Sequence, residues 1–258
     1  MKSRMPHLLD NWPAIARRLQ RAPSVALFLD FDGTLAKIAP KPSQARLPND
    51  TRRHLTRLAR HRSVQVCVIS GRDLATLRKL VAVPRVRYLG LYGWQNGRRM
   101  ALDPLTHKTL DLARQTVTDR VAHLSGILVE DKRLAFAVHY RGAPLASVRQ
   151  ARQVVRTVVL PLRLLRTLPA KKAWDIVPAC FAGKEDAVLR ELRTSPESLA
   201  IYAGDDYADE RAFNVIPKGI SIHVGACRRS NAQFCLRDPD EVREFLEKLE
   251  KALPGTKP

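Results

Sequence analysis

Four short runs of nearly unbroken apolar residues set the strongest limit on the fold: VALFLD (25–30), VQVCVIS (64–70), LAIYAGDD (199–206) and GISIHVG (219–225). A strand with one wet face alternates apolar and polar residues, whereas a strand covered on both faces reads as a continuous apolar run. Central strands of a parallel sheet meet that requirement. Between the runs lie segments with apolar residues at helical spacing, among them DTRRHLTRLARHR (50–62), RDLATLRKLV (72–81), GKEDAVLRELR (183–193) and DPDEVREFLEKLEKAL (238–253). Strands alternating with helices predict an α/β protein with a doubly wound, mostly parallel sheet.

The middle of the chain has another rhythm. A helical stretch (107–124) leads into strands GILVED (126–131) and RLAFAVHYR (133–141); a helix (144–159) and strands LRLLRTL (162–168) and KAWDIV (172–177) follow. Strands in hairpin order with helices between them suit a small α+β insertion. The expected division is a core from residues 1–100 and 178–258, split by an inserted α+β cap at 101–177.

Charge narrows the function classes only partly. The 258 residues carry 45 Lys and Arg against 25 Asp and Glu, a formal net charge of +20. Such a chain attracts anions, so nucleic acid, an anionic membrane surface and a phosphorylated small molecule all stay open. The basic residues are spread along the chain with no DNA-reading motif and no aromatic-rich RNA signature, which speaks against nucleic acid. The N-terminal stretch has no uninterrupted apolar core, so neither a signal peptide nor a membrane span is expected. Cys67, Cys180, Cys227 and Cys235 form no CxxC pair and have no zinc-finger spacing, and the simpler reading is reduced thiols in a cytoplasmic protein.

Ligands of open α/β sheets bind beyond the carboxyl ends of the strands. Asp30, Ser70 and Asp205 stand at such ends, and Lys184 joins them if its helix starts at the same edge. Two acids, a hydroxyl and an ammonium suit a phosphoryl group. A carboxylate attacking phosphorus needs a cation to offset the repulsion of two anions, and oxygen donors without a His or Cys cluster favour Mg²⁺ over zinc. Strand alternation through LDFD puts Asp30 and Asp32 on the same side, with Phe31 pointing away. Asp32 is then free to protonate a leaving oxygen and to deprotonate a water. Gly33 and Thr34 permit the turn out of the strand. Plainer roles stand beside these: Ser-Gly after a strand is an ordinary turn, a lysine opening a helix is often solvated, and Arg72 suits a structural ion pair.

DFDGTL, VISGR, a lysine opening a helix, and GDDYADE, in that order, resemble the motif set of the haloacid dehalogenase superfamily. From NWPAIARRL through SGRDLATLRKLV, AVHYR and IYAGDDYADERAF to the last helix, the chain is similar to the trehalose-6-phosphate phosphatases. The resemblance implies a phosphoric monoester hydrolase with a cap over the sugar. Asp30 is then the nucleophile, Asp32 the acid/base, and Ser70 and Lys184 the holders of phosphate. The Mg²⁺ ligands are Asp30, Asp32 through its carbonyl, and Asp205, with Asp206 and Asp209 orienting the metal waters or Lys184. Thr34, Gly71, Gln95, His139 and Arg141 are the expected substrate contacts, and Trp94 and Trp174 have the choice of stacking on a sugar or packing in a core.

The chain departs from that family at substrate-recognition elements. GLYGWQ (90–95) stands in place of GxHGxE, so Tyr92 and Gln95 replace a histidine and a glutamate. DIVP (175–178) stands in place of ExRP or ExKP, which changes Asp175 and Val177. Three functions follow: a Mg²⁺-dependent phosphatase of trehalose 6-phosphate, the same chemistry on another phosphorylated sugar or polyol, or a catalytically silent basic binding subunit. The partner expected is a small phosphorylated sugar, and the protein is expected to act as a monomer.

Overall fold

The computed structural model describes residues 5–97, 101–227 and 230–253. The chain divides into two compact units, Met1–Gly97 with Ala182–Pro258, and Arg98–Phe181. In chain order the first unit begins with α1 (Trp12–Arg21), β1 (Val25–Leu29), α2 (Asn49–Arg60), β2 (Val64–Ile69), α3 (Leu74–Val81) and β3 (Arg87–Leu89). The second unit holds α4 (Pro104–Val121), β4 (Leu128–Asp131), β5 (Phe136–His139), α5 (Leu145–Val159), β6 (Leu165–Ala170) and β7 (Ala173–Pro178). The first unit then resumes with α6 (Lys184–Leu192), β8 (Leu199–Gly204), α7 (Tyr207–Asn214), β9 (Ile220–Val224), β10 (Phe234–Leu236) and α8 (Pro239–Ala252).

Among the described residues the first unit forms a six-stranded sheet in the order β10-β9-β8-β1-β2-β3, every neighbouring pair parallel. The continuous apolar runs are explained by cover on both faces. Val25, Leu27 and Leu29 of β1 pack with Ile15 and Leu19 of α1, Leu55 of α2, and Phe245 and Leu249 of α8. Ala26 and Phe28 pack on the other side with Ala187 and Val188 of α6 and Phe213 of α7. Strands β2 and β3 run outward from one edge of β1 and β8 to β10 from the other, so the sheet changes direction of winding between β1 and β8. That is the topological switch point where α/β sheets place their ligands.

The second unit is a four-stranded antiparallel sheet, β4-β5-β7-β6, with α4 and α5 packed on it. Leu110, Ala113 and Val117 of α4 and Ala151, Val155 and Val159 of α5 meet Phe136, Val138 and Ile176 of the sheet in one core. Trp174 lies against Tyr140 with ring centroids 4.4 Å apart, inside this unit. No described helix is long and apolar enough to cross a membrane.

Three sequence expectations differ from the structure. Strand β1 ends at Leu29, one residue before Asp30, and residues 31–36 close a tight turn in which the Gly33 amide donates to Ala36 O at 2.7 Å. Strand alternation therefore does not run through LDFD, although Phe31 is fully buried among the α1, α2 and α8 side chains. The strand expected at 162–168 forms instead at Leu165–Ala170, after a turn at Leu160–Pro161. Cys227 and Cys235 are joined in a disulfide, their Cα atoms 5.5 Å apart, which departs from four reduced thiols. The parallel pairing of β9 and β10 brings the two together, a proximity that spacing along the chain does not reveal.

Candidate active site

The carboxyl ends of β1, β2 and β8 are adjacent because those strands pair in register, Leu29 facing Val68 on one side and Ala203 on the other. Asp30, Ser70 and Asp205 follow directly, buried at 4%, 2% and 8% exposure. Lys184 is the first residue of α6 and is 1% exposed. Its ammonium donates to Asp30 Oδ1 at 2.8 Å and to Asp209 Oδ1 at 2.7 Å, and lies 3.9 Å from Asp206 Oδ1. A lysine so deeply buried is there because carboxylates surround it.

Asp209 occupies the centre of this network. Besides Lys184, the Tyr202 hydroxyl donates to its Oδ1 at 2.7 Å, and the amides of Asp205 and Asp206 donate to its Oδ2 at 2.9 and 3.0 Å. A carboxylate has about four acceptor positions, and these four donors fill them. Asp209 is thus a support for Lys184 and for the β8–α7 turn. Asp206 caps α7, accepting from the amides of Ala208 and Asp209 at 2.9 and 3.2 Å. Two glycines permit the close approach: a Cβ on Gly33, whose φ is +88°, falls 2.0 Å from Asp205 Oδ2, and one on Gly204 falls 2.2 Å from Asp209 Cγ.

Among the described residues, the carboxylates of Asp30, Asp205, Asp206 and Asp209 are gathered about the Lys184 ammonium. Burial pushes the Asp30 carboxyl well above the usual range; Lys184 pulls it down, and Asp209, Asp205 and Asp206 push it up again. Asp206 is pushed up to about 7, by burial first and then by Asp209 and Asp205 against the pull of Lys184. Asp209 is held below the usual range, because Lys184 and its hydrogen bonds outweigh its burial. Lys184 is held well above the usual lysine value by Asp209 and Asp30, which outweigh a larger desolvation cost.

Such a gathering of buried carboxylates suits a divalent cation. One oxygen from each of Asp30, Asp205 and Asp209 lies within 4.8 Å of the others. With Asp209 saturated by its own donors, Asp30 and Asp205 are the carboxylates that can hold the ion, an oxygen-only set suited to a hard metal. Thr34 adds a fully buried hydroxyl with no hydrogen-bond partner among the described residues, an orphan that a ligand oxygen can satisfy.

Asp32 has different company. Arg72 holds it through a two-point ion pair, Nε to Oδ2 at 2.6 Å and Nη2 to Oδ1 at 2.7 Å, while the Asp32 side chain stays 35% exposed. Ser70 Oγ accepts from the Arg72 amide at 3.2 Å, and Ser70 O from the Tyr92 amide at 2.8 Å. Gly71 lies under the Tyr92 ring, whose atoms come within 2.9 Å of a Cβ built there. Tyr92 has a left-handed backbone, φ +61°, and is buried. Gln95 turns its Oε1 to the Leu74 amide, 2.6 Å away, at the start of α3.

The remaining expected contacts lie in the second unit. His139 Nε2 pairs with Glu130 Oε2 at 2.7 Å across β4 and β5, and Arg141 is exposed with Nη2 donating to Lys171 O at 3.0 Å. Asp175 is buried and accepts from Lys132 Nζ at 2.7 Å. Tyr202, Glu130 and Lys132 are polar residues around these groups that sequence reasoning did not assign, and Arg72, expected in a structural ion pair, makes it with Asp32. Arg72 sits within two residues of the singled-out Ser70, whereas nothing along the chain links Lys132 to Asp175 or Tyr202 to Asp209.

A model of the trehalose-phosphatase family matches residues 28–240. The trehalose-phosphate phosphatase of Mycobacterium tuberculosis is 31% identical over 271 residues, covering 97% of this chain and 67% of its own. That of Mycobacterium avium is 33% identical over 247 residues, covering 87% and 61%. The chain thus spans about two thirds of the length of these relatives. Among solved structures, the C-terminal domain of Candida albicans trehalose-6-phosphate phosphatase superposes with a TM-score of 0.82 at 22% identity, over 97% of this chain and 99% of that one. A haloacid dehalogenase-like hydrolase from Bacteroides thetaiotaomicron does so at 0.62 and 13% identity, over 88% and 99%. These two likenesses concern the fold, while the match over residues 28–240 and the mycobacterial identities concern the sequence itself, and by them the chain belongs to the trehalose-phosphatase family.

Proposed function

We propose that the chain is a Mg²⁺-dependent phosphoric monoester hydrolase that converts trehalose 6-phosphate and water to trehalose and phosphate. The observation that carries this reading is the buried Asp30–Lys184–Asp209 cluster beside Asp205 at the switch point of the sheet, in a chain of this family. Asp30 and Asp205, with the Asp32 carbonyl, are the groups to hold Mg²⁺; when bound, the ion offsets the charge of carboxylate and phosphate.

An Asp30 oxygen attacks phosphorus, and a bond from Asp30 to phosphorus forms as the bond from phosphorus to the sugar oxygen breaks. Asp32 gives its proton to the departing sugar oxygen. Water then attacks the aspartyl-phosphate, Asp32 takes one of its protons, and the bond to Asp30 breaks to release phosphate. Lys184, Ser70 and Thr34 have the chemistry to bind phosphoryl oxygens, and the Gly71 backbone next to Ser70 is assigned to the same group. Gln95, His139 and Arg141 are assigned to the sugar.

Phosphate release from trehalose 6-phosphate with Mg²⁺ is the direct test. Wild-type chain should turn over and Asp30→Asn should not; an Asp30→Asn variant with undiminished turnover sinks the reading. A second reading, another sugar or polyol phosphate, draws on Gln95 and Asp175, whose oxygens are engaged by the Leu74 amide and by Lys132. A specificity constant for trehalose 6-phosphate at least about tenfold above every other member of a sugar-phosphate panel excludes it.

A further inference from the structure

The two acids of DFD are held in contrasting ways. Asp30 is buried against an ammonium, a point charge; Asp32 is partly exposed and gripped by a planar guanidinium whose two N–H groups take both of its oxygens, at 2.6 and 2.7 Å. The grip is itself anchored. The Arg72 guanidinium carbon lies 5.5 Å from the centroid of the Phe31 ring, the residue between the two acids. The Arg72 amide donates to Ser70 Oγ and its carbonyl accepts from the Leu91 amide at 2.8 Å. Side chain and backbone of Arg72 are thereby tied to the β1 turn and to the β2 end.

A two-point bond of this kind fixes the plane of a carboxylate, and it leaves each oxygen one further acceptor position. A group that first hands a proton to a leaving oxygen and later takes one from water at the same phosphorus needs that orientation fixed. Stability alone is a poor explanation, since an ion pair with one largely buried partner contributes little net free energy.

We propose that Arg72 is the positioning residue for proton transfer at Asp32, holding the carboxyl group so that the oxygen position the guanidinium leaves open, which carries the proton to be given and later accepts one from water, faces the leaving oxygen. This rests on the reading of Asp32 as acid/base. Arg72 does not touch the phosphoryl group in this scheme, so its effect follows the need for a proton and not the need for phosphate binding.

The experiment compares Asp32→Asn, Arg72→Gln, Arg72→Lys and the double variant Asp32→Asn/Arg72→Gln on two substrates. Trehalose 6-phosphate has an alkoxide leaving group that must be protonated; p-nitrophenyl phosphate has a phenolate that departs without a proton. Loss of general acid catalysis should lower kcat of Asp32→Asn on the sugar phosphate by about 10²–10⁴-fold, and far less on the aryl ester. Arg72→Gln should show the same selectivity, with kcat on the sugar phosphate down about 10–100-fold and KM nearly unchanged. Arg72→Lys keeps the charge but not the fork, should give a similar pattern, and decides the matter if Arg72→Gln does not fold. In the double variant the second substitution should cost less than about twofold beyond Asp32→Asn, because Arg72 acts through Asp32. Equal losses on both substrates, or additive losses in the double variant, overturn the proposal while leaving Asp32 its role. An Asp32→Asn variant that fails to distinguish the substrates overturns the acid/base reading, and the role of Arg72 falls with it.

Discussion

Replacing Lys184 by methionine tests the charge balance of the site most directly. The substitution keeps much of the side-chain volume and removes the one ammonium bonded to both Asp30 and Asp209, at 2.8 and 2.7 Å, and 3.9 Å from Asp206. Asp209 keeps the Tyr202 hydroxyl and two amides, but Asp30 loses its nearest cation. Removing one partner of a buried pair costs about 3–5 kcal/mol, so the metal-free variant should lose that much stability at pH 7.5. Lys184 is held above its ordinary value of 10.5, so its contribution is fully present below that value and disappears only at higher pH. Any difference between pH 7.5 and pH 5 therefore comes from the carboxylates. At pH 5 Asp206, raised to about 7, carries a proton in the folded chain, and fewer bare charges are uncovered. The cost should then be smaller by at least about 1.4 kcal/mol, the equivalent of one pKa unit. Urea unfolding of wild type and variant in EDTA, followed at both pH values, measures it. A loss below about 1 kcal/mol at pH 7.5, or the same loss at both pH values, would refute the reasoning.

Wild-type protein without metal should also be more stable at pH 5 than at pH 8. The Asp206 carboxyl rises from 3.8 to about 7 on folding, so the native state binds the extra proton in that interval and stability falls by up to about 4 kcal/mol as pH rises through it, while the lowered Asp209 loses its contribution only below 3.8. Saturating Mg²⁺ should narrow the gap in urea midpoints, and a gap of the opposite sign without metal contradicts the assignment. Gly33→Ala places a methyl 2.0 Å from Asp205 Oδ2 on a backbone at φ +88°; it should cost about 1–3 kcal/mol and weaken Mg²⁺ activation, and wild-type Mg²⁺ titration curves count against it. Thiol titration without reductant should find Cys180 reactive in native protein and Cys67 only after denaturation; four reactive thiols would exclude the Cys227–Cys235 bond.

The sequence made the central strands legible because β1, β2, β8 and β9 must be apolar on both faces. Strands β3 and β10, three residues each, left no such run and are built by pairing with a longer neighbour. Asp30, Ser70, Lys184 and Asp205 were readable as polar ends of buried elements. What surrounds them was not. Tyr202 lies in the middle of an apolar strand, where an aromatic ring needs no explanation, and only its hydroxyl on Asp209 gives it another role. Gln95 stands at a position that the family resemblance assigns to substrate, yet its oxygen stabilises the first turn of α3. Arg72 could pair with Asp73 or with the motif acids, and only folding shows that Asp73 accepts from the Thr76 amide at the start of α3 while Asp32 takes the guanidinium.

The interruption of the core by the second unit has a consequence for the newborn chain. Strand β1 has its β2 neighbour as soon as Ile69 leaves the ribosome, but its other neighbour, β8, begins about 130 residues later. At about 5–20 residues per second the free edge of the most apolar strand waits on the order of ten seconds for its mate. In that interval Asp30 has no Lys184, and the intervening α+β segment, with a core of its own, has time to collapse first. Synthesis order thus makes the arrival of β8 the event that closes an aggregation-prone edge and assembles the acids around their lysine at one stroke.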